Sequence, residues 1–182
     1  MDAKPKCLVI GRGPVGPNLM AGNMGETPYE LDTSIHKVPK GKQYDYVLVW
    51  NRLEYEPIKR LSKYVESISN AVKPGGVCHL YCIAAEWVAE CIVTHKPSKM
   101  WRGVLFGEQR DDRSYAKNIL TMRDLRTVVE QAGLHGIDAQ TGHFVMKDEK
   151  TEQKVRVACH YVVGWKPLPE DDKSDIINPD IN

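Results

Sequence analysis

Apolar residues run along the chain in two rhythms. Residues 7–10, Tyr44–Trp50 and 77–83 form short, nearly continuous apolar runs, rich in aliphatic, β-branched and aromatic side chains. Such runs predict strands buried on both faces. Between the last two, Leu61, Tyr64, Val65, Ile68 and Val72 recur at spacings of three and four. That rhythm puts them on one face of a helix over 60–72, which Lys73-Pro74-Gly75-Gly76 is expected to end. Residues 84–93 read as a further helix. Thr121 is a good N-cap for another over 122–132, with Leu125, Val128, Val129 and Ala132 inward and Gly133 as the stop. Residues 29–32 predict a short strand and 142–146 a weak one. Lys154–Trp165 predicts a strong one.

Other stretches lack either rhythm. Pro14, Gly16, Pro17, Gly22 and Gly25 crowd residues 14–25, predicting irregular chain or at most one helical turn. Residues 38–42 and 95–102 read as loops, and 108–118 as a charged stretch without periodicity. Pro167, Pro169, Pro179 and many acids mark 167–182 as a mobile acidic tail after a single domain over 1–166. Strands alternating with helices predict an α/β sheet covered by helices, with the last strand pairing antiparallel.

Composition narrows the function classes. The 182 residues include 25 Lys and Arg against 24 Asp and Glu, a formal net charge of +1. Nucleic acid is therefore not indicated as a partner, nor is a polybasic membrane anchor. No apolar run is long enough for a secretory or membrane-spanning segment, so the chain is read as cytoplasmic. The five cysteines, Cys7, Cys78, Cys82, Cys91 and Cys159, are expected to be free and mostly buried. Cys78-His79-x-x-Cys82 contains metal-ligand types, but strand alternation turns His79 away from both thiols, and no metal site is assigned. The histidines are scattered, and no Ser/His/Asp arrangement is visible.

Three segments together carry a resemblance. The first is Leu8-Val9-Ile10 running into Gly11-Arg12-Gly13-Pro14-Val15-Gly16, a G-x-G-x-x-G pattern. The second is Tyr44–Trp50 through Leu53-Glu54-Tyr55, then the helix and Val72-Lys73-Pro74-Gly75-Gly76-Val77. The third is Phe106-Gly107-Glu108-Gln109, then Thr121-Met122-Arg123-Asp124-Leu125 and Ala132-Gly133-Leu134. In this order they resemble class I S-adenosylmethionine-dependent methyltransferases, specifically small type-11-like ones. The resemblance implies a Rossmann-like α/β fold, a mostly parallel sheet with helices on both faces. It implies S-adenosylmethionine as cofactor and a small molecule as methyl acceptor.

It also implies a set of cofactor neighbours. Gly11 and Gly13 would let the backbone approach the methionine part of the cofactor. Asp32, roughly 20 residues beyond Gly13, fits a ribose-binding acid. A second alignment puts Asp32 at the adenine end, and a plain surface turn acid is the third reading. Trp50, Asn51 and Glu54, just after the strand-4 equivalent, would border the transfer point. Gln109, Arg110, Arg113 and Tyr115 lie in a stretch that in the family closes over the substrate, or else form a solvated charged loop.

The chain departs from the family in its first half. Gly11 to Asp45 is little longer than the roughly 30 residues of one βαβ unit, where the family fits strand, helix, strand, helix and strand. The fold is thus expected to be reduced in size. That leaves room for a homo-oligomer or a partner subunit to complete the shortened half. The family's histidine after strand 4 is replaced by Tyr55. Two functions follow: methyl transfer to an unidentified, small-molecule acceptor, or a non-catalytic methyltransferase-like accessory subunit.

Overall fold

The computed structural model describes residues 3–11, 15–35, 37–94, 115–147 and 154–169, together with the separate positions 96, 102, 105 and 106. Six strands form one sheet in the order β2-β1-β3-β4-β6-β5. They are β1 (Lys6–Ile10), β2 (Glu30–Ser34), β3 (Tyr44–Trp50), β4 (Val72–Ile83), β5 (His135–Lys147) and β6 (Lys154–Trp165). β2, β1, β3 and β4 run parallel. β6 joins β4 antiparallel, and β5 pairs antiparallel with β6. The expected α/β architecture is present, with the last strand inserted antiparallel as anticipated.

Among the described residues four helices pack on the sheet: α1 (Val15–Met24), α2 (Ile58–Ala71), α3 (Ala85–Val93) and α4 (Met122–Gln131). α2 and α4 cover one face. Leu61, Val65, Ile68, Leu125 and Val129 are buried there with Leu8, Ile10, Val47, Val49, Leu80 and Cys82. α1 covers part of the other face, setting Met20 and Met24 against Cys7, Val9, Leu48 and Trp50. Helices thus lie on both faces, and alternate residues of the buried strands feed the two cores. All five cysteines are free and buried. No described helix is long and apolar enough to cross a membrane.

α1 corrects the expectation for 14–25, where at most one turn was predicted. The chain there is a ten-residue helix. The breakers sit where a helix tolerates them. Pro17 lies in the first turn, where backbone N–H groups have no intrahelical partner. Gly25 follows the last helical residue at φ 58°, its N–H bonded to the Ala21 carbonyl at 3.0 Å, as a left-handed terminator should be. Gly16, Met20 and Met24 form a buried stripe at four-residue spacing. A Cβ on Gly16 would fall 2.6 Å from Val9 Cγ1, so its lack of a side chain sets how closely α1 approaches β1.

The Lys73-Pro74-Gly75-Gly76 turn also behaves differently from expectation. α2 ends at Ala71, and the turn lies inside β4 as a bulge: Tyr44 pairs with Val72, and Tyr46 with Val77. Lys73 clamps Asp45 through both carboxylate oxygens at 2.8 and 2.9 Å. Lys166 exchanges backbone hydrogen bonds with Gly75 and Gly76. The turn therefore staples the amino ends of β3 and β4 to the end of β6.

The shortened half is real. One helix and one strand, α1 and β2, separate β1 from β3, and the described part of the connection from Ser34 to Tyr44 contains no helix. Of the tail expected at 167–182, residues 170–182 lie outside the described residues, as do Gly107, Glu108, Gln109, Arg110 and Arg113 of the charged stretch.

Candidate functional site

Strand order reverses between β1 and β3. From β1 the chain passes through α1 to β2 on one side, then returns to β3 on the other. Ligands of open α/β sheets gather at the carboxyl ends of the strands at such a point. Here those ends bring together Gly11, Ser34, Trp50 and Asn51, with α1 starting four residues beyond Gly11.

Gly11 is the pivot. Its N–H donates to the Ser34 carbonyl at 2.9 Å, joining the ends of β1 and β2. Its φ is 154°, and a Cβ there would lie 2.5 Å from the Trp50 carbonyl oxygen. Only glycine lets the chain leave β1 this close to β3. Gly13 lies outside the described residues. Gly16, the last glycine of the pattern, is the close contact between α1 and β1 described above, a role the sequence reading passed over.

Trp50 ends β3 and is 7% exposed. Its ring meets Phe144 edge-on at 5.0 Å and Tyr81 at 5.8 Å between centroids. Asn51 follows at φ 44°, the one described non-glycine residue with positive φ. Asparagine tolerates this left-handed conformation better than most residues. Its N–H donates to the Tyr81 carbonyl at 3.1 Å, so the chain swings out of β3 while still tied to β4.

Glu54 lies in the short 3-10 turn Leu53–Tyr55 and points inward, 4% exposed. Its Oε1 accepts from the Ile83 N–H at 2.6 Å, fastening the turn to the end of β4. Burial pushes its carboxyl up to about 7, against the opposing pull of backbone N–H groups and the Arg52 guanidinium. Asn118 clamps the same turn, its Nδ2 donating to the Leu53 and Glu56 carbonyls. Arg52 donates to Glu56 at 3.0 Å and lies over the Tyr55 ring. Three buried atoms here have no protein partner: Arg52 Nε, Glu54 Oε2 and Asn118 Oδ1. Each is a place for an ordered water or a ligand atom.

Asp32 sits elsewhere. It is the third residue of β2, paired with Leu8 in the middle of β1. Its Oδ2 accepts from the Tyr44 hydroxyl at 2.7 Å and from Lys42 Nζ at 3.0 Å. These bonds hold its carboxyl below the usual aspartate range, with the Tyr44 hydroxyl contributing most. Tyr44 begins β3, so this carboxylate is directed to the amino end of the sheet and lines a cleft there with Lys6, Glu30 and Gln43. The structure brings Gly11, Trp50 and Asn51 together, ties Glu54 to the end of β4, and leaves Asp32 apart. The carboxyl end of β2 carries Ser34, whose Oγ accepts from the Lys37 N–H at 3.1 Å.

The sequence reading missed an aromatic group. Tyr81 and Tyr161 face each other across β4 and β6 and stack at 4.5 Å. Tyr161 also stacks on His79 and bonds its ring Nδ1 at 2.8 Å. The alternation of 77–83, which sends Cys78, Leu80 and Cys82 to the α2 face, is the signal that places His79 and Tyr81 on the other. His160, 3% exposed, is a tie among three elements, with Nε2 2.7 Å from Glu86 and Nδ1 3.1 Å from Thr141. Both ring nitrogens are occupied.

Comparison with solved structures identifies the architecture. A structure solved for the conversion of a disulfide bond into a thioacetal group during echinomycin biosynthesis superposes with TM-score 0.64 and 13% identity. It covers 95% of this chain and 80% of that one. A SAM-dependent methyltransferase from Methanosarcina mazei gives 0.55 and 11%, covering 93% and 95%. The fold is that of the class I methyltransferases. A SAM-dependent methyltransferase from Archaeoglobus fulgidus agrees, at 0.55 and 11% over 90% and 87%. No family model matches the sequence, and no curated protein matches it.

Proposed function

We propose that this chain transfers a methyl group from S-adenosylmethionine to a small-molecule acceptor. The observation that carries the reading is the junction of Gly11, Trp50 and Asn51 at the point where strand order reverses, beside the start of α1. The residues fit the methionine end of the cofactor. Gly11 leaves backbone without a Cβ, and α1 begins beside it with no acid in its first turn to oppose a carboxylate there. Gly13 would, as the resemblance implies, admit the same part of the cofactor. The fit is sparser at the ribose, where Ser34 and not a carboxylate ends β2.

When bound, the cofactor supplies an electrophilic methyl group on a sulfonium. The chain's task is then positioning. Trp50 and Asn51 would border the acceptor and hold it in line, and Glu54 would keep the turn that follows them fixed to β4. Asp32 would support the sheet through Tyr44.

Calorimetric titration with S-adenosylmethionine and S-adenosylhomocysteine tests the reading. Binding tighter than roughly millimolar is expected. Folded protein that takes up neither ligand at millimolar concentration would overturn it and leave the accessory-subunit reading in its place.

A further inference from the structure

The sheet face that α1 only partly covers holds a cavity of about 200 Å³ beside Trp50. Trp50, Tyr81, Phe144 and Tyr161 contribute four rings to its wall. Leu19 of α1 closes one side, and Gln140 supplies an amide. Among the described residues no Asp, Glu, Lys or Arg lines it, and His143 and Cys159 are its titratable groups besides the two tyrosines. Trp50 belongs to both regions: its carbonyl is pressed against Gly11 while its ring forms part of the cavity. The cavity therefore adjoins the point where a cofactor methyl group would be presented.

We propose that this cavity binds the methyl acceptor, and that the acceptor is a neutral, planar aromatic ring bearing a hydroxyl or amine. The proposal rests on the methyltransferase reading for the word acceptor; the ring site itself stands on the cavity. At about 200 Å³ the space lies below the roughly 300 Å³ at which pockets for drug-sized molecules begin, which suits a ligand of one or two fused rings. With no Asp, Glu, Lys or Arg among the described lining residues, an ionic ligand would lose its hydration without gaining a counter-charge, and the tetramethylammonium probe below tests the cation that rings alone could hold. Ring geometry argues for an aromatic one. Tyr81 and Tyr161 stack on each other and Phe144 turns its edge to Trp50, so a guest ring extends an offset and edge-to-face series already present. The Tyr161 hydroxyl is already bonded to His79 and the Gln140 Nε2 to Asp138, so the Gln140 side-chain carbonyl is the group left to take a hydrogen bond from one polar substituent.

The test uses the full chain with three probes: 2-naphthol, its fully saturated counterpart decahydro-2-naphthol, and tetramethylammonium. Binding is followed by calorimetry and by the shift of the Trp50 indole N–H resonance. 2-Naphthol is expected to bind about fivefold more tightly than the saturated alcohol, with tetramethylammonium weaker than either. Tyr161→Phe keeps the ring and should keep binding within about twofold. Tyr161→Leu should weaken it about tenfold while S-adenosylhomocysteine affinity stays unchanged. If Tyr161→Leu does not fold, Phe144→Leu serves the same purpose, because Phe144 lies on β5 and is only half-buried. Equal affinity for the saturated alcohol, tighter binding of tetramethylammonium, or 2-naphthol binding indifferent to loss of the ring would each overturn the proposal. Ring binding without any S-adenosylhomocysteine binding would retain the ring site and remove the methyltransferase reading, so the two failures are distinguishable.

Discussion

Glu54 shows how one buried carboxyl shapes the candidate site. Folding takes it from its ordinary value of 4.5 to about 7, because burial disfavours the anion more than the Ile83 N–H and Arg52 favour it. The native state then holds a proton that the unfolded chain has already released between those two pH values. Its contribution to stability is present below about pH 4.5 and is lost as pH rises through about 7. The shift corresponds to roughly 3 kcal/mol, taking 1.36 kcal/mol for each pH unit. Glu54→Gln keeps an acceptor for Ile83 and does not ionise. Urea denaturation at pH 5 and pH 8 should show wild-type stability falling by an amount of that order and the variant almost flat. A parallel slope in both proteins would contradict this assignment. Gly11 makes the complementary point about backbone. A Cβ placed 2.5 Å from the Trp50 carbonyl has no flexible neighbour to push aside. Gly11→Ala should therefore cost about 1–3 kcal/mol, read from the urea midpoint.

At the scale of elements, α1 offers the sharpest contrast among glycines. Gly16 touches Val9, whereas a Cβ on Gly22 would meet nothing within 4 Å on the exposed side of the same helix. Gly22→Ala should raise stability by about 0.4–1 kcal/mol, because alanine has less conformational freedom to lose; a fall would mean that the exposed side of α1 is in contact with something else. This helix also shows what kind of information the sequence held. The strands β1, β3 and β6 and the Thr121 cap were legible because each is written in consecutive residues. Thr121 and Asp124 even form the reciprocal capping box, with Asp124 N–H on Thr121 Oγ1 at 3.2 Å and Thr121 N–H on Asp124 at 3.1 Å. α1 was hidden because breakers were weighed by number and not by position in the helix. Asp32 was displaced from the crevice for a related reason. Spacing from a glycine loop counts residues, whereas ribose contact depends on which end of β2 the acid occupies. The ring cavity could not be read at all, since β3, β4, β5 and β6 each supply a part of it.

For the molecule as a whole, the question is whether the shortened segment between β1 and β3 can still form the proposed cofactor site. The losses fall between β2 and β3, where the described chain has no helix, and not at Gly11, Trp50 or α1. The surviving parts hold one another in place: Gly11 is tied to Ser34, Asn51 to Tyr81, and Glu54 to Ile83. A site built this way should bind without waiting for a second chain, and binding should register in the unfolding of the whole domain. At a hundred times its dissociation constant, S-adenosylhomocysteine should add about 2.7 kcal/mol. For a domain of this size that is a rise in Tm of roughly 5–10 °C. Gly11→Ala should abolish the rise. Asp32→Ala should keep it, because its carboxylate is held by Tyr44 and Lys42 at the opposite end of the sheet. The measurement is a thermal melt of each protein with and without ligand, at two protein concentrations. A rise seen only at the higher concentration would show that the site is completed by association between copies. A rise lost in Asp32→Ala would place the cofactor at the amino ends of the strands, against the junction argued for here.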